Sequence, residues 1–196
     1  MKVLGICGSP RRGGNTEVLL DRALEGAVSR GAVVEKIILE DMDISPCRES
    51  EYEEVSAEGL SIVDDDIHVI FRKIKEADAL ILASPIFFGS LSAQTKTMID
   101  RFQCVWVAKN AMAKNVFSRK MPGGFISAEA TKREDFFANA RSIVKHFFAA
   151  ISVSYSGDVL CPGVDKKGSV LERQDCLEKA FELGASLAAG GPGKRC

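Results

Sequence analysis

The sequence predicts an α/β fold in which a parallel sheet of five strands carries helices on both faces. Three observations lead there. Short apolar runs alternate with amphipathic helical stretches from one end of the 196-residue chain to the other, the pattern of repeated strand–helix units. Two of the runs, at residues 3–7 and 79–83, are apolar throughout rather than alternating, as strands covered on both faces are. Both runs also end abruptly at Gly8-Ser9-Pro10 and Ser84-Pro85, so the chain turns sharply at each strand's carboxyl end.

The elements follow in order. The first strand is Val3-Leu4-Gly5-Ile6-Cys7. A helix over residues 16–30 places Leu20, Ala23, Leu24, Ala27 and Val28 on one face and stops at Gly31. Residues 33–39 form the second strand. Ile67, Ile70, Phe71 and Ile74 predict a helix over residues 64–76, with Asp64, Asp65 and Asp66 at its positive end. The third strand, residues 79–83, is the most apolar and therefore central. A helix over residues 92–102 turns Met98, Ile99 and Phe102 inward. A short fourth strand covers 124–127, and a helix over 135–148 aligns Phe136, Ala140, Ile143, Val144 and Phe147. The fifth strand lies within 152–160, and a last helix spans 169–189. Residues 190–196 are Gly- and Pro-rich and read as a flexible tail. Five strands in a single domain of 1–196 fit the flavodoxin-like order 2-1-3-4-5. Two connections are unusually long, 40–63 and 103–122, and such loops are commonly functional or interfacial.

Composition excludes several classes. With 26 basic against 27 acidic residues the net charge is −1, so nothing draws the chain electrostatically to nucleic acid or to an anionic membrane. No apolar run approaches the roughly 20 residues of a membrane-spanning helix. Six cysteines are scattered without C-x-x-C spacing. No secretory signal is read at the start, so a cytoplasmic protein with reduced thiols is expected.

The topology itself points to the site, because ligands of such sheets bind beyond the carboxyl ends of strands 1 and 3, where the winding reverses. The first of those loops is Gly8-Ser9-Pro10-Arg11-Arg12-Gly13-Gly14-Asn15-Thr16. Free N–H groups at the following helix end make an anion site, to which Ser9, Asn15 and Thr16 add donors and Arg11 or Arg12 adds charge. The spacing resembles a P-loop, but Ser9 replaces the first glycine and Asn15 the lysine that reaches the outer phosphates of a nucleoside triphosphate. A single terminal phosphate fits better than ATP. The second loop is Ser84-Pro85-Ile86-Phe87-Phe88-Gly89-Ser90-Leu91-Ser92-Ala93-Gln94. Adjacent aromatics between proline and glycine at a strand end suit a flat apolar ligand. Phosphate at one end and a flat ring at the other describe FMN.

Gly-Ser-Pro-Arg followed by Gly-Asn-Thr at 8–16, and the run at 84–94, resemble the NADPH-dependent FMN reductase superfamily, and within it most closely the iron-sulfur flavoprotein group. Lys96, Asp100 and Arg101 extend the similarity. The resemblance implies a flavodoxin-like fold, non-covalent FMN, and NADPH or NADH as electron donor. A homodimer or homotetramer is expected, because a small five-stranded domain leaves one face of the ring open. By position it assigns Ser9, Pro10, Arg11, Gly14, Asn15 and Thr16 to the phosphate, and Pro85, Ile86, Phe87, Phe88, Gly89 and Ser90 to the isoalloxazine. Ser127, Ala128 and Glu129, in the loop that runs on to Thr131, would approach the ring's other side, where relatives tend to have glycines. No side chain is assigned a catalytic role and no metal ligand is expected, since the cofactor carries the chemistry. The electron acceptor is a quinone, a nitro or azo compound, or a redox protein. A flavodoxin-type carrier that does not oxidise NAD(P)H is the alternative.

The sequence departs from that group in one segment. Where the relatives carry C-x2-C-x2-C-x(4–7)-C for a [4Fe–4S] cluster, Cys47 is followed by Ser50, Glu53 and Leu60 at the ligand positions. A single thiolate does not hold such a cluster, so none is expected. Elsewhere, Cys7 reads as a core residue, His68 and His146 as structural, the pairs Phe136-Phe137 and Phe147-Phe148 as core or subunit contact, and Trp106 as packing on a second subunit.

Overall fold

The structure, a computed structural model, describes residues 1–48, 55, 56 and 58–190. Ser50, Glu53 and the tail beyond residue 190 lie outside the described residues. The elements are β1 (Lys2–Cys7), α1 (Asn15–Val28), β2 (Val33–Ile38), α2 (Ile67–Glu76), β3 (Ala79–Phe87), β4 (Ser90–Leu91), α3 (Ala93–Asp100), α4 (Gln103–Ala111), β5 (Met121–Ala128), α5 (Glu134–Ala150), β6 (Val153–Cys161) and α6 (Gln174–Ala189). Single 3-10 turns cover Leu39–Asp41 and Ser169–Glu172.

The sheet runs β2-β1-β3-β5-β6, all parallel, with the two-residue β4 antiparallel to the end of β3. Counted as parallel strands this is the order 2-1-3-4-5 that the sequence predicts. Alternation across the strands sorts the core into two halves. Leu4, Ile6, Leu80, Leu82 and Phe125 face α2, α3 and α5, whereas Val3, Cys7, Ala79, Ile81, Ala83 and Ile126 face α1 and α6. Helix α2 shows how this is driven. Ile67, Ile70, Phe71 and Ile74 are all buried, and each such side chain contributes about 1.5–3 kcal/mol on leaving water.

Several elements differ in extent from the sequence reading, among them β5, which runs Met121–Ala128 rather than 124–127, and α6, which starts at Gln174 rather than 169. Helix α2 starts at Ile67 because Asp65 and Asp66 turn back instead: Asp65 accepts from the N–H of Ser45 and of Ile67, and Asp66 from that of Asp43. The connection after α3 contains a helix, α4, which buries Cys104, Val105 and Ala108. Strand β3 runs on to Phe87, because Ser84 and Pro85 still pair with Ser127 and Ala128 of β5.

Helices α1 and α6 approach backbone to backbone at two glycines. A Cβ on Gly26 would overlap the carbonyl oxygen of Phe181, and one on Gly184 would overlap that of Ala23. Glycine is required at both positions by this approach.

The thiols do not follow the sequence expectation. Cys161, at the end of β6, and Cys176, in the first turn of α6, are joined by a disulfide with Cα atoms 5.9 Å apart. The fold brings them together across 15 residues, a separation that no short motif advertises. Cys7 and Cys104 are buried free thiols, and burial pushes each up to about 11. Neither is a thiolate at neutral pH.

Candidate functional site

A cavity of about 250 Å³ opens at the carboxyl end of the sheet. Its wall is built from three of the loops that the sequence singles out and from one that it does not. The loop after β1 contributes Ser9, Arg11, Gly14, Asn15 and Thr16. The end of β3 contributes Pro85, Ile86 and Phe87. The loop after β5 contributes Ala128, Glu129 and Ala130. Val164 and Asp165, beyond β6, complete it.

At the α1 end the chain leaves its N–H groups open. Ser9 folds the loop on itself, its hydroxyl accepting from the N–H of Arg11 at 3.2 Å, and Gly14 N–H donates to the carbonyl of Arg11 at 3.0 Å. Gly13 N–H is taken by Glu17 at 2.6 Å. The N–H groups of Asn15, Thr16 and Glu17 meet no acceptor among the described residues, and they lie at the positive end of α1. Thr16 is only 2% exposed, lines the cavity, and its hydroxyl has no partner among the described residues. Arg11 stands at the rim, its guanidinium donating to the carbonyl of Asp165 at 3.4 Å. An anion of phosphate size fits this donor set. The negative charge of Glu17 is offset by its ion pair with Lys36. Burial disfavours its charge, but Lys36 at 2.9 Å and the Gly13 N–H more than reverse that and hold it ionised below its ordinary range.

Asn15 plays a different part from the donor role the sequence assigns it. Its amide nitrogen donates to the carbonyls of Val164 and Lys166, at 3.3 and 3.0 Å, and its oxygen accepts from the N–H of Val170 at 3.3 Å. The side chain anchors the segment beyond β6.

The opposite wall is apolar. Ile86 and Phe87 form it, and Phe87 is 42% exposed. Phe88 and Gly89, with φ of 51° and 73°, make the tight turn between β3 and β4, since a two-residue hairpin of this kind needs positive φ at both central positions. Phe88 is fully exposed. It lies outside the cavity wall with Pro10, Gly89, Ser90 and Ser127. Ser127 is buried, donating to the carbonyl of Ser84 at 2.8 Å.

Glu129 is a charged residue of the same cavity wall. Only 4% exposed, it accepts from the Thr131 hydroxyl at 3.1 Å, and burial raises its pKa above the usual carboxylate range. Away from the cavity, His68 bonds the carbonyl of Val63 at 2.8 Å, a structural role. Trp106, 57% exposed, borders an apolar groove between α3, α4 and α5 that also holds His146. No group of three or more metal-binding side chains occurs among the described residues. No described helix is long and apolar enough to cross a membrane.

A family model described as NADPH-dependent FMN reductase matches residues 1–154. The chain belongs to this family. Among its relatives, an iron-sulfur flavoprotein of Methanocaldococcus jannaschii is 44% identical over 101 residues, 52% of this chain and 51% of that protein. An NAD(P)H:quinone oxidoreductase of Solanum tuberosum is 28% identical over 153 residues, 71% of this chain and 76% of its own. The chain spans about half the length of the iron-sulfur flavoproteins it matches. An NAD(P)H:quinone oxidoreductase from Methanothermobacter marburgensis superposes with a TM-score of 0.69 at 20% identity, covering 95% of this chain and 96% of that one. At that identity the likeness concerns the fold, which an archaeal flavodoxin also shares.

Proposed function

We propose that this chain binds FMN in the cavity at the carboxyl end of its sheet and acts as an NAD(P)H-dependent reductase. The observation that carries the reading is the juxtaposition of an open anion cradle at Asn15–Glu17 with the apolar face of Ile86 and Phe87 across one cavity. Family membership supports the same reaction class. Bound FMN would supply the two-electron chemistry between nicotinamide and acceptor.

The residues then have separable tasks. The N–H groups of Asn15, Thr16 and Glu17, the Thr16 hydroxyl and Arg11 hold the phosphate. Pro85, Ile86 and Phe87 exclude water from one edge of the ring and leave the Phe87 side accessible to a second substrate. Ala128, Glu129 and Ala130 bound the other edge. The acceptor is a quinone, a nitro or azo compound, or a redox protein. Cys47 is the sole cysteine of the 40–63 connection, which supports a reductase without the iron-sulfur cluster of its relatives. The apolar groove beside Trp106 supports a homodimer or homotetramer.

The test is an absorption spectrum after FMN is added and the excess removed, followed by anaerobic addition of NADPH or NADH. Flavin bands that stay with the protein and bleach with the nicotinamide are expected. Retained but unbleached flavin would make the chain an electron carrier, and a colourless protein would sink the reading. Thr16→Val and Arg11→Ala should each weaken FMN binding about tenfold, the worth of one hydrogen bond to a charged group.

A further inference from the structure

The disulfide has a position that links it to the cavity. Between Cys161 and Cys176 the chain runs as a strap over the amino end of α1. One side of the strap is laced to the loop after β5. There Gly163 N–H donates to Thr131 and Val164 N–H to Glu129, both carbonyls at 2.8 Å. The other side is held by Asn15, through Val164, Lys166 and Val170, and by Arg11 through Asp165. Arg173 closes the base, donating to the carbonyl of Pro162 at 2.6 Å. Val164 and Asp165 of this strap are cavity wall. The disulfide therefore joins the two ends of a segment that bridges the anion cradle and the Glu129 loop.

We propose that Cys161 and Cys176 are a redox-active pair whose disulfide holds this strap in place, so that FMN retention depends on their thiol–disulfide state. The proposal rests on the FMN reading of the cavity. The reductant is a dithiol. One of its thiolates attacks a cysteine sulfur, breaking the protein disulfide and forming a mixed one. Its second thiolate then attacks that bond, releasing the remaining cysteine. The protein gains two electrons and two protons and becomes a dithiol, and the reagent leaves as its own disulfide.

Burial gives the exchange its control. Cys161 and Cys176 are 0% and 2% exposed, so attack needs the strap or the first turn of α6 to open. FMN held against Val164 and Asp165 opposes that opening. The coupling is reciprocal: the factor by which the disulfide tightens FMN binding equals the factor by which FMN favours the disulfide.

The test measures the FMN dissociation constant by flavin fluorescence for air-oxidised protein and for protein reduced with dithiothreitol, the thiol count being set by alkylation and mass spectrometry. We expect binding about tenfold weaker in the dithiol form, the strap then being held by hydrogen bonds alone. Cys161→Ser and Cys176→Ser should bind at the weaker level with or without reductant. The dithiothreitol equilibrium of the disulfide should shift toward oxidation by the same factor when FMN is present. Equal affinities in both states, or free thiols at both positions in air-oxidised protein, would overturn the proposal alone. Absence of FMN binding in both states would overturn the FMN reading and the proposal with it.

Discussion

The hydroxyl of Ser92 donates to the carbonyl of Gly8 at 2.5 Å, joining the end of β1 to the start of α3. The same oxygen caps α3 by accepting from Thr95 N–H at 3.2 Å and contacts the Thr95 hydroxyl at 2.9 Å. Ser84 adds a second tie, accepting from Ser92 N–H at 3.1 Å. This buried cluster fixes the spacing of the cradle loop relative to the β3–β4 hairpin.

Ser92→Ala should therefore cost about 1–3 kcal/mol, the loss of a cap together with a carbonyl left unsatisfied. FMN affinity should fall with it, since both cavity walls lose their common anchor. Urea unfolding and flavin titration check the two effects.

Arg101 and Asp65 form a buried ion pair at 2.5 Å, with Arg101 also bonded to Ser61 and to the carbonyl of Ser45. Arg101→Ala should destabilise by about 3–5 kcal/mol, because Asp65 is left charged and buried. Burial works against the Asp65 carboxylate, but Arg101 and the N–H groups of Ser45 and Ile67 outweigh it and lower its pKa. Its stabilising contribution is complete above the ordinary aspartate value of about 3.9. It is lost as pH falls toward the lower folded value. Asp65→Asn should flatten that acid limb in pH-dependent unfolding.

Glu129 has the opposite sign. Its pKa is raised, chiefly by burial, so its contribution is present below the ordinary glutamate value of about 4.3 and lost as pH rises through the folded one. Glu129→Gln should gain stability relative to the parent at neutral pH and show no difference in strong acid. Unfolding midpoints across pH 3–8, a range of about five units spanning that value, provide the check.

Phe88 occupies a left-handed conformation, φ 51°, while burying nothing. Phe88→Asn, before Gly89, should stabilise the hairpin by about 0.5–1 kcal/mol, since asparagine adopts this turn readily. Thermal unfolding measures it.

The sequence made β1 and β3 the most readable strands because their apolar runs are buried along nearly their whole length, and apolar runs survive any detail of packing. Loop walls were less readable. Pro85 reads as a strand break, yet β3 passes through it, since its neighbour β5 continues the pairing to Ala128. Val164 and Asp165 carried no signal of their own. They reach the cavity through backbone carbonyls bound by Asn15 and Arg11, and a carbonyl is the same at every residue. The Cys161–Cys176 pair is equally silent, being made by the packing of β6 and α6 rather than by spacing. Helix α4 did leave a trace in Cys104, Val105 and Ala108, which share one helical face.

The glycine contacts between α1 and α6 have a mechanical consequence. Where a backbone sits directly on a backbone, there are no side chains to re-pack, and sliding would drive Gly26 and Gly184 into carbonyl oxygens. The two helices move as one plank. The cradle lies at the amino end of this plank on α1 and Cys176 begins its other member, α6. Motion around the cavity is then left to the cord that runs from Cys161 to Cys176, and the pocket breathes by slack in that cord rather than by a swinging domain.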